Sequence, residues 1–306
     1  MLAYLIRRIL LAVPILLGVV AVVVISLEIV PGDPVALMLG EFATPESIEA
    51  TRADLGLDRP LLVRYVEYIA NVFQGDLGTS IKDRRPVATI IGETLPATAQ
   101  LAGVAILVAL AVGLPLGVAS AARPHGVVDN AVRVLSLAGL SMPVFWTGLV
   151  FIVIFSVELG WFPVAGRGSW RHYVLPSITL ALPSIAILAR MTRASLLEVL
   201  QEDYVRTARS KGVGSLRILY KHALRNALIP VITALGLQLG QMLGGAVLTE
   251  TVFSWPGLGR LTVFAIFNRD YLLVQGVVLV LATIYVSVNL LVDISYGFLD
   301  PRVRYA

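Results

Sequence analysis

Few residues in this 306-residue chain have the types and spacing for chemistry, and they are scattered. Cysteine is absent, which excludes disulfides and thiolate metal sites. The three histidines, His125, His172 and His222, fall in three separate segments and cannot form a metal site together. No Gly-x-x-x-x-Gly-Lys-Ser/Thr run is present to cradle a nucleotide phosphate, and Lys211-Gly212 has the wrong order for one. No Gly-x-Ser-x-Gly elbow supplies an activated serine. The long apolar stretches hold no charged residue except Glu28 near the end of the first and Asp293 near the end of the last. Ion-coupled transporters use carboxylates near mid-membrane, so intrinsic ion coupling is disfavoured. The sequence predicts no catalytic residue, no metal and no cofactor in this chain.

What remains is a set of amides, hydroxyls and glycines. Gly236, Gly240 and Gly244 recur every four residues, the spacing that lets helix backbones approach closely. Gln238 and Gln241 project about 140–200° from Gly236 on the same helix, away from that glycine face. Two readings fit these glutamines: hydrogen-bonded glue between helices, or polar groups along a translocation path with Ser141, Thr233 and Ser136. Glu28 is open in the same way, between a carboxylate at the membrane interface and a path residue.

The elements that must carry these residues follow from where charge is missing. Apolar residues make up 57% of the chain and charged residues 14%, with a mean hydropathy of +0.84. A soluble domain carries roughly 25% charged residues, so soluble enzyme, disulfide scaffold and disordered chain are all excluded. Charge-free stretches cover 9–27, 94–122, 134–157, 172–189, 226–249 and 271–292. A helix needs roughly 20 apolar residues to cross about 30 Å of hydrocarbon, so six spans are predicted, the fourth with a kink at Pro176 or Pro183. The first reads as an anchored helix rather than a cleaved signal peptide, because no small-x-small site follows it. The formal charge of +4 reflects topology, not nucleic-acid binding. With the N-terminus inside, fourteen of the 24 Lys+Arg lie on inner segments, and both termini are expected to be cytoplasmic.

Two segments outside the spans have structure in their pattern. In the outer loop, Thr44-Pro45-Glu46-Ser47 reads as a helix start, and 61–73 has helical apolar spacing ended by Gly75-Asp76-Leu77-Gly78. On the inner side, 190–225 holds eight basic residues. Residues 203–211 and 215–226 read as two amphipathic helices meeting at Gly212-Val213-Gly214. This loop suits a surface helix on anionic lipid, or a docking element whose apolar face enters a partner's groove.

In order along the chain stand Pro31-Gly32-Asp33-Pro34, Leu55-Gly56-Leu57-Asp58-Arg59-Pro60, Gly75-Asp76-Leu77-Gly78 and Arg85-Pro86-Val87. Residues 203–212 (DYVRTARSKG), 222–233 (HALRNALIPVIT), 250–260 (ETVFSWPGLGR) and 300–305 (DPRVRY) follow. With these motifs the sequence resembles, end to end, the inner-membrane permease subunits of type I ABC importers for dipeptides, oligopeptides, glutathione and nickel. The resemblance implies an all-α polytopic fold with six transmembrane helices. Its divisions would be an N-terminal helix in 1–30, an extracytoplasmic loop in 31–93, a permease core in 94–293 with coupling loop 190–228, and a tail in 294–306.

It also implies that the inner loop docks on an ATPase subunit. The family's Glu-Ala-Ala-x-x-x-Gly signature matches at Ala208 and Gly212, while Arg206 and Thr207 replace its Glu and first Ala. The coupling residues implied are Asp203, Tyr204, Arg206, Thr207, Ala208, Lys211, Gly212 and Val213. The implied partners are a second, homologous permease, two ATP-binding subunits that hold ATP and Mg, an extracytoplasmic substrate-binding protein and the bilayer. Small peptides are the implied solute, with nickel, opines or oligosaccharides as alternatives and a stand-alone ion-coupled transporter as the rival.

Overall fold

The computed structural model describes residues 2–29, 34–39, 43–54 and 56–299. Pro31, Gly32, Asp33, Leu55 and the 300–305 run lie outside the described residues. Helices follow one another from α1 (Leu2–Ile29), α2 (Pro34–Leu39), α3 (Pro45–Asp54) and α4 (Leu61–Phe73) to α5 (Val87–Ala122), α6 (Val127–Ser141) and α7 (Val144–Phe151). Then come α8 (Arg171–Val199), α9 (Asp203–Ser210), α10 (Ser215–Arg217), α11 (Leu224–Val252), α12 (Leu258–Phe267) and α13 (Tyr271–Leu299). No strand occurs among the described residues.

Among the described residues five helices are long and apolar enough to cross a membrane, or six if α6 and α7, with the π-helical extension Ile152–Glu158, form one broken span. The break lies in the third span and not the fourth. Pro143 lacks an N–H and drives Met142 into an extended conformation (φ −84°, ψ 128°), so the two halves meet at 105°. By contrast α8 continues through Pro176 and Pro183 as one helix, with more than half of its apolar window buried. Neighbouring helices can re-satisfy the carbonyls that each proline frees.

Two compact units divide the chain. The first comprises Met1–Thr98 and Pro256–Ser287. Here Thr44 Oγ1 accepts from the Ser47 N–H (3.2 Å) while Ser47 Oγ accepts from the Thr44 N–H (2.9 Å), a reciprocal cap that starts α3 at Pro45. The inner face of α4 is Leu61, Tyr65, Tyr68, Ile69 and Val72, packed on Val20 and Val24 of α1. Leu62, Val66 and Phe73, which share the helical spacing, stay exposed. Arg64 pairs with Glu28 at 3.0 Å and ties α4 to the end of α1.

A second set of contacts fixes the 79–86 turn. Asp270 is buried at the N-terminus of α13, where it caps the Leu273 N–H. It also accepts from the Ser80 hydroxyl and from the N–H groups of Ile81 (3.2 Å) and Lys82 (3.3 Å). The turn is closed further by a bridge between Thr79 and Pro86. Behind it Val87, Ile90 and Ile91 pack against Leu258, Leu273 and Val277.

The second unit comprises Ala99–Trp255 and Val288–Ala306. Helix α8 lies against α6, α7 and α11. Gly113 and Gly117 of α5 meet α8 at very short range: a Cβ built on Gly117 would lie 2.5 Å from Thr192 Cβ and 2.6 Å from the Ala189 carbonyl oxygen. Only glycine permits that crossing.

Candidate coupling loop and translocation surface

The basic segment between α8 and α11 is more helical than its sequence pattern suggests. Helix α8 extends to Val199, so Arg190 and Arg193 sit on its last turns. The second amphipathic stretch is not separate: α10 passes through a π-helical stretch, Ile218–Ala223, directly into α11. Between them α9 stands as a two-turn helix.

Its C-terminus explains the matching signature residues. Gly212 has φ +77°, its N–H donates to the Arg209 carbonyl (2.9 Å), and the Val213 N–H donates to the Ala208 carbonyl (3.1 Å). This is a Schellman motif, in which the left-handed residue is glycine because it has no Cβ to clash. Ala208 and Gly212 are thus two ends of one stop signal. Two residues hold α9 down. Val205 is fully buried. The Tyr204 hydroxyl donates to the His222 carbonyl (3.3 Å) and accepts from Asn226 Nδ2 (2.8 Å). Asp203, Arg206, Thr207 and Lys211 are exposed; Asp203 and Arg206 form a surface pair at 3.4 Å, and Thr207 donates to the Asp203 carbonyl. Such a pair adds little stability. Ala208 and Val213 are half-buried.

The proposed path residues differ in their surroundings. Gln238 is buried and accepts from the Ser184 hydroxyl at 3.1 Å, which joins α11 to α8. Gln241 is exposed. Ser141 is exposed too, its hydroxyl returned to the Leu137 carbonyl at 2.9 Å, whereas Ser136 is buried. The Thr233 and Asp293 side chains lie outside the described residues.

The glycine ladder also divides. Gly236 abuts Val292, 2.4 Å from where a Cβ would stand, and Gly240 is buried. Gly244 departs from the expected packing face: it is exposed with no atom within 4 Å, while Gly245 faces Leu180. Each four-residue step turns the face by about 40°, so the third glycine has rotated off the contact.

Sequence pattern did not single out the buried carboxylates. Among the described residues Asp129, Glu250 and Asp270 are fully or almost fully buried. Asp129 accepts from both Arg193 Nε (2.6 Å) and Nη2 (2.8 Å), from the Ser120 hydroxyl (2.5 Å) and from the His125 N–H (2.9 Å). It pins the α5–α6 turn to α8. The only trace in the sequence is an acid in the first turn of α6, which a helix dipole would explain equally well. The Gly113-x-x-x-Gly117 spacing in α5 is the same small-residue signal as the longer ladder in α11, and it marks the close crossing with α8.

Comparison with known proteins identifies the family. Residues 113–305 match the family described as binding-protein-dependent transport system inner membrane component, and residues 1–102 match the N-terminal membrane component of the same systems. The di/tripeptide transport system permease protein DppB of Pseudomonas aeruginosa is 44% identical, the alignment covering 100% of this chain and 99% of that protein. The glutathione transport system permease protein GsiC of Pectobacterium atrosepticum is 45% identical over 100% of both. A chain of the MetNI methionine ABC transporter, in an inward-facing crystal form, has the same fold at a TM-score of 0.60. Its identity is 19%, and the match covers 70% of this chain and 97% of that one. The molecule is therefore a multi-pass inner-membrane transport protein. It belongs to the family of binding-protein-dependent transport system inner membrane components.

Proposed function

We propose that this chain is the permease subunit of an ATP-driven importer for small peptides of the di-/tripeptide or glutathione class. The observation that carries the reading is α9, an exposed helix held at its base by Val205 and Tyr204, in a chain without a nucleotide motif. Relatives aligned over the whole chain, whose names specify di/tripeptide and glutathione transport, support the solute class. In this reading Asp203, Arg206, Thr207 and Lys211 face an ATP-binding subunit, and the Ala208–Gly212–Val213 turn sets the presented angle. ATP and Mg reside in two such subunits. A second permease and an extracytoplasmic binding protein complete the assembly. Both termini are cytoplasmic, consistent with the basic residues around α9. Closure of the ATPase pair moves α9 and opens the membrane cavity outward, and hydrolysis reverses it.

The test is reconstitution with the partner subunits in proteoliposomes. Removal of 206–216, or Gly212→Pro, is expected to abolish both ATPase docking and ATP-dependent peptide uptake. Intact docking and uptake in these variants would overturn the proposal. Uptake by the purified chain alone, driven by an ion gradient, would overturn it as well.

A further inference from the structure

Three arginines cluster where α6 and α8 meet, and they are not equivalent. Arg193 is neutralised by the bidentate pair with Asp129. Arg133 and Arg190 are exposed, and neither forms an ion pair with a described residue. Both line the same two adjoining grooves, of about 510 and 410 Å³, whose remaining walls are mainly apolar: Val134 and Leu137 from α6, Ile187 and Met191 from α8. Val134 and Leu137 are each more than 60% exposed. In sequence, Arg133 and Arg190 are the residues that bound the charge-free stretches 134–157 and 172–189. Arg133 and Arg190 thus border the hydrocarbon-length segments, beside grooves whose remaining walls are mainly apolar.

We propose that this groove is a binding site for an anionic phospholipid of the adjoining leaflet. Arg133 and Arg190 hold the phosphate, and the Val134–Leu137 and Ile187–Met191 walls take an acyl chain. Guanidinium groups suit this task because their donors match phosphate oxygens two at a time. The apolar walls explain why a lipid fits better than a free anion. A basic pocket between membrane helices has the chemistry expected for such headgroups. The occupant also bears on stability, since it neutralises two like charges that line the same grooves.

The test uses the complete importer in phosphatidylcholine vesicles with trace spin-labelled phosphatidylglycerol or phosphatidylcholine. A photoactivatable phosphatidylglycerol, mapped by mass spectrometry, reports position. Wild type is expected to favour phosphatidylglycerol, with cross-links on 134–137 and 187–191. Two basic side chains at a leaflet surface are worth about thirty-fold in association, and Arg133→Gln/Arg190→Gln should lose that much at this site. Arg217→Gln/Lys221→Gln, with the same charge removed elsewhere, should keep the 134–137 and 187–191 cross-links. Addition of inorganic phosphate should leave these unchanged, since a headgroup without chains gains nothing from the apolar walls. Three results would overturn the proposal: no lipid preference at this site, full retention of cross-linking in the Arg133/Arg190 variant, or displacement by free phosphate. If the groove instead binds a second permease chain, the complex will show protein–protein cross-links there and no lipid, which also overturns it.

Discussion

The backbone angle of Gly212 permits a test that separates two reasons for glycine at that position. Its φ of +77° lies in the left-handed region, yet a Cβ placed there would meet no atom within 4 Å of the chain. Within this subunit the whole penalty of substitution is conformational. For an L-residue with a Cβ that penalty is about 1–2 kcal/mol, or five- to thirty-fold in the balance between the capped turn and an open one. Asparagine tolerates this region better through local hydrogen bonding, and a β-branched residue tolerates it worse. Uptake driven by ATP in proteoliposomes, with co-purification of the ATPase subunit as a measure of docking, should therefore rank Gly212 first, then Gly212→Asn, Gly212→Ala and Gly212→Val. The graded order is the signature of the turn. If Asn, Ala and Val fail equally, the glycine is needed because a partner's surface comes too close for any Cβ. If all three behave as wild type, the Schellman stop has no part in coupling.

Four further outcomes follow from packing and hydrogen bonding. Gly117→Ala should lower the unfolding temperature of the purified chain, because the new methyl meets the rigid Ala189 carbonyl at 2.6 Å; overpacking of this kind costs about 1–3 kcal/mol. Gly244→Ala, in open space, should leave stability within about 0.5 kcal/mol of wild type. Asp270→Ala removes a helix cap and strands the Ser80 hydroxyl and two N–H groups, for a loss of about 2–4 kcal/mol and faster proteolysis within 79–86, whereas Asp270→Asn should keep more than half of the stability. Gln238→Leu should lower stability by about 0.6–1.7 kcal/mol through loss of the Ser184 bond with the uptake KM unchanged, and Gln241→Leu should leave stability intact.

How much of this was legible depends on the range of the interaction. Span number, the α3 start at Thr44 and the stop of α9 at Gly212 all come from local chemistry: apolar length, an N-cap hydroxyl, a glycine in the left-handed region. The α6–α7 break is local as well, at Met142-Pro143, but in sequence nothing distinguishes it from the two prolines that α8 accommodates. Proline breaks a helix only where nothing else can satisfy the carbonyls it frees, and that depends on neighbours a sequence does not display. The same blindness hid Asp129 and Arg193, 64 positions apart, and Asp270 and Ser80, 190 apart. For α4 the spacing gives the helix but not its buried face, since Leu62, Val66 and Phe73 satisfy the helical period as well as the residues that pack on α1.

These long-range pairs bear on how a push on α9 would travel under the proposed docking role. Tyr204 is bonded to His222 and Asn226, and those residues lie on a helix that continues without interruption from Ser215 to Val252. Under that role a displacement of α9 reaches the base of α11 through this hydrogen-bonded contact. On the other flank only residues 200–202 separate α9 from α8, and the Ser195 hydroxyl donates to the Ala227 carbonyl, so α8 and α11 are joined near the same level. Asp129 extends that joint to the α5–α6 turn through Arg193. The membrane-embedded glutamine of the pair, Gln238–Ser184, adds a second tie between α8 and α11 closer to the bilayer centre. With two ties between the same two helices, α8 and α11 should move together as one lever.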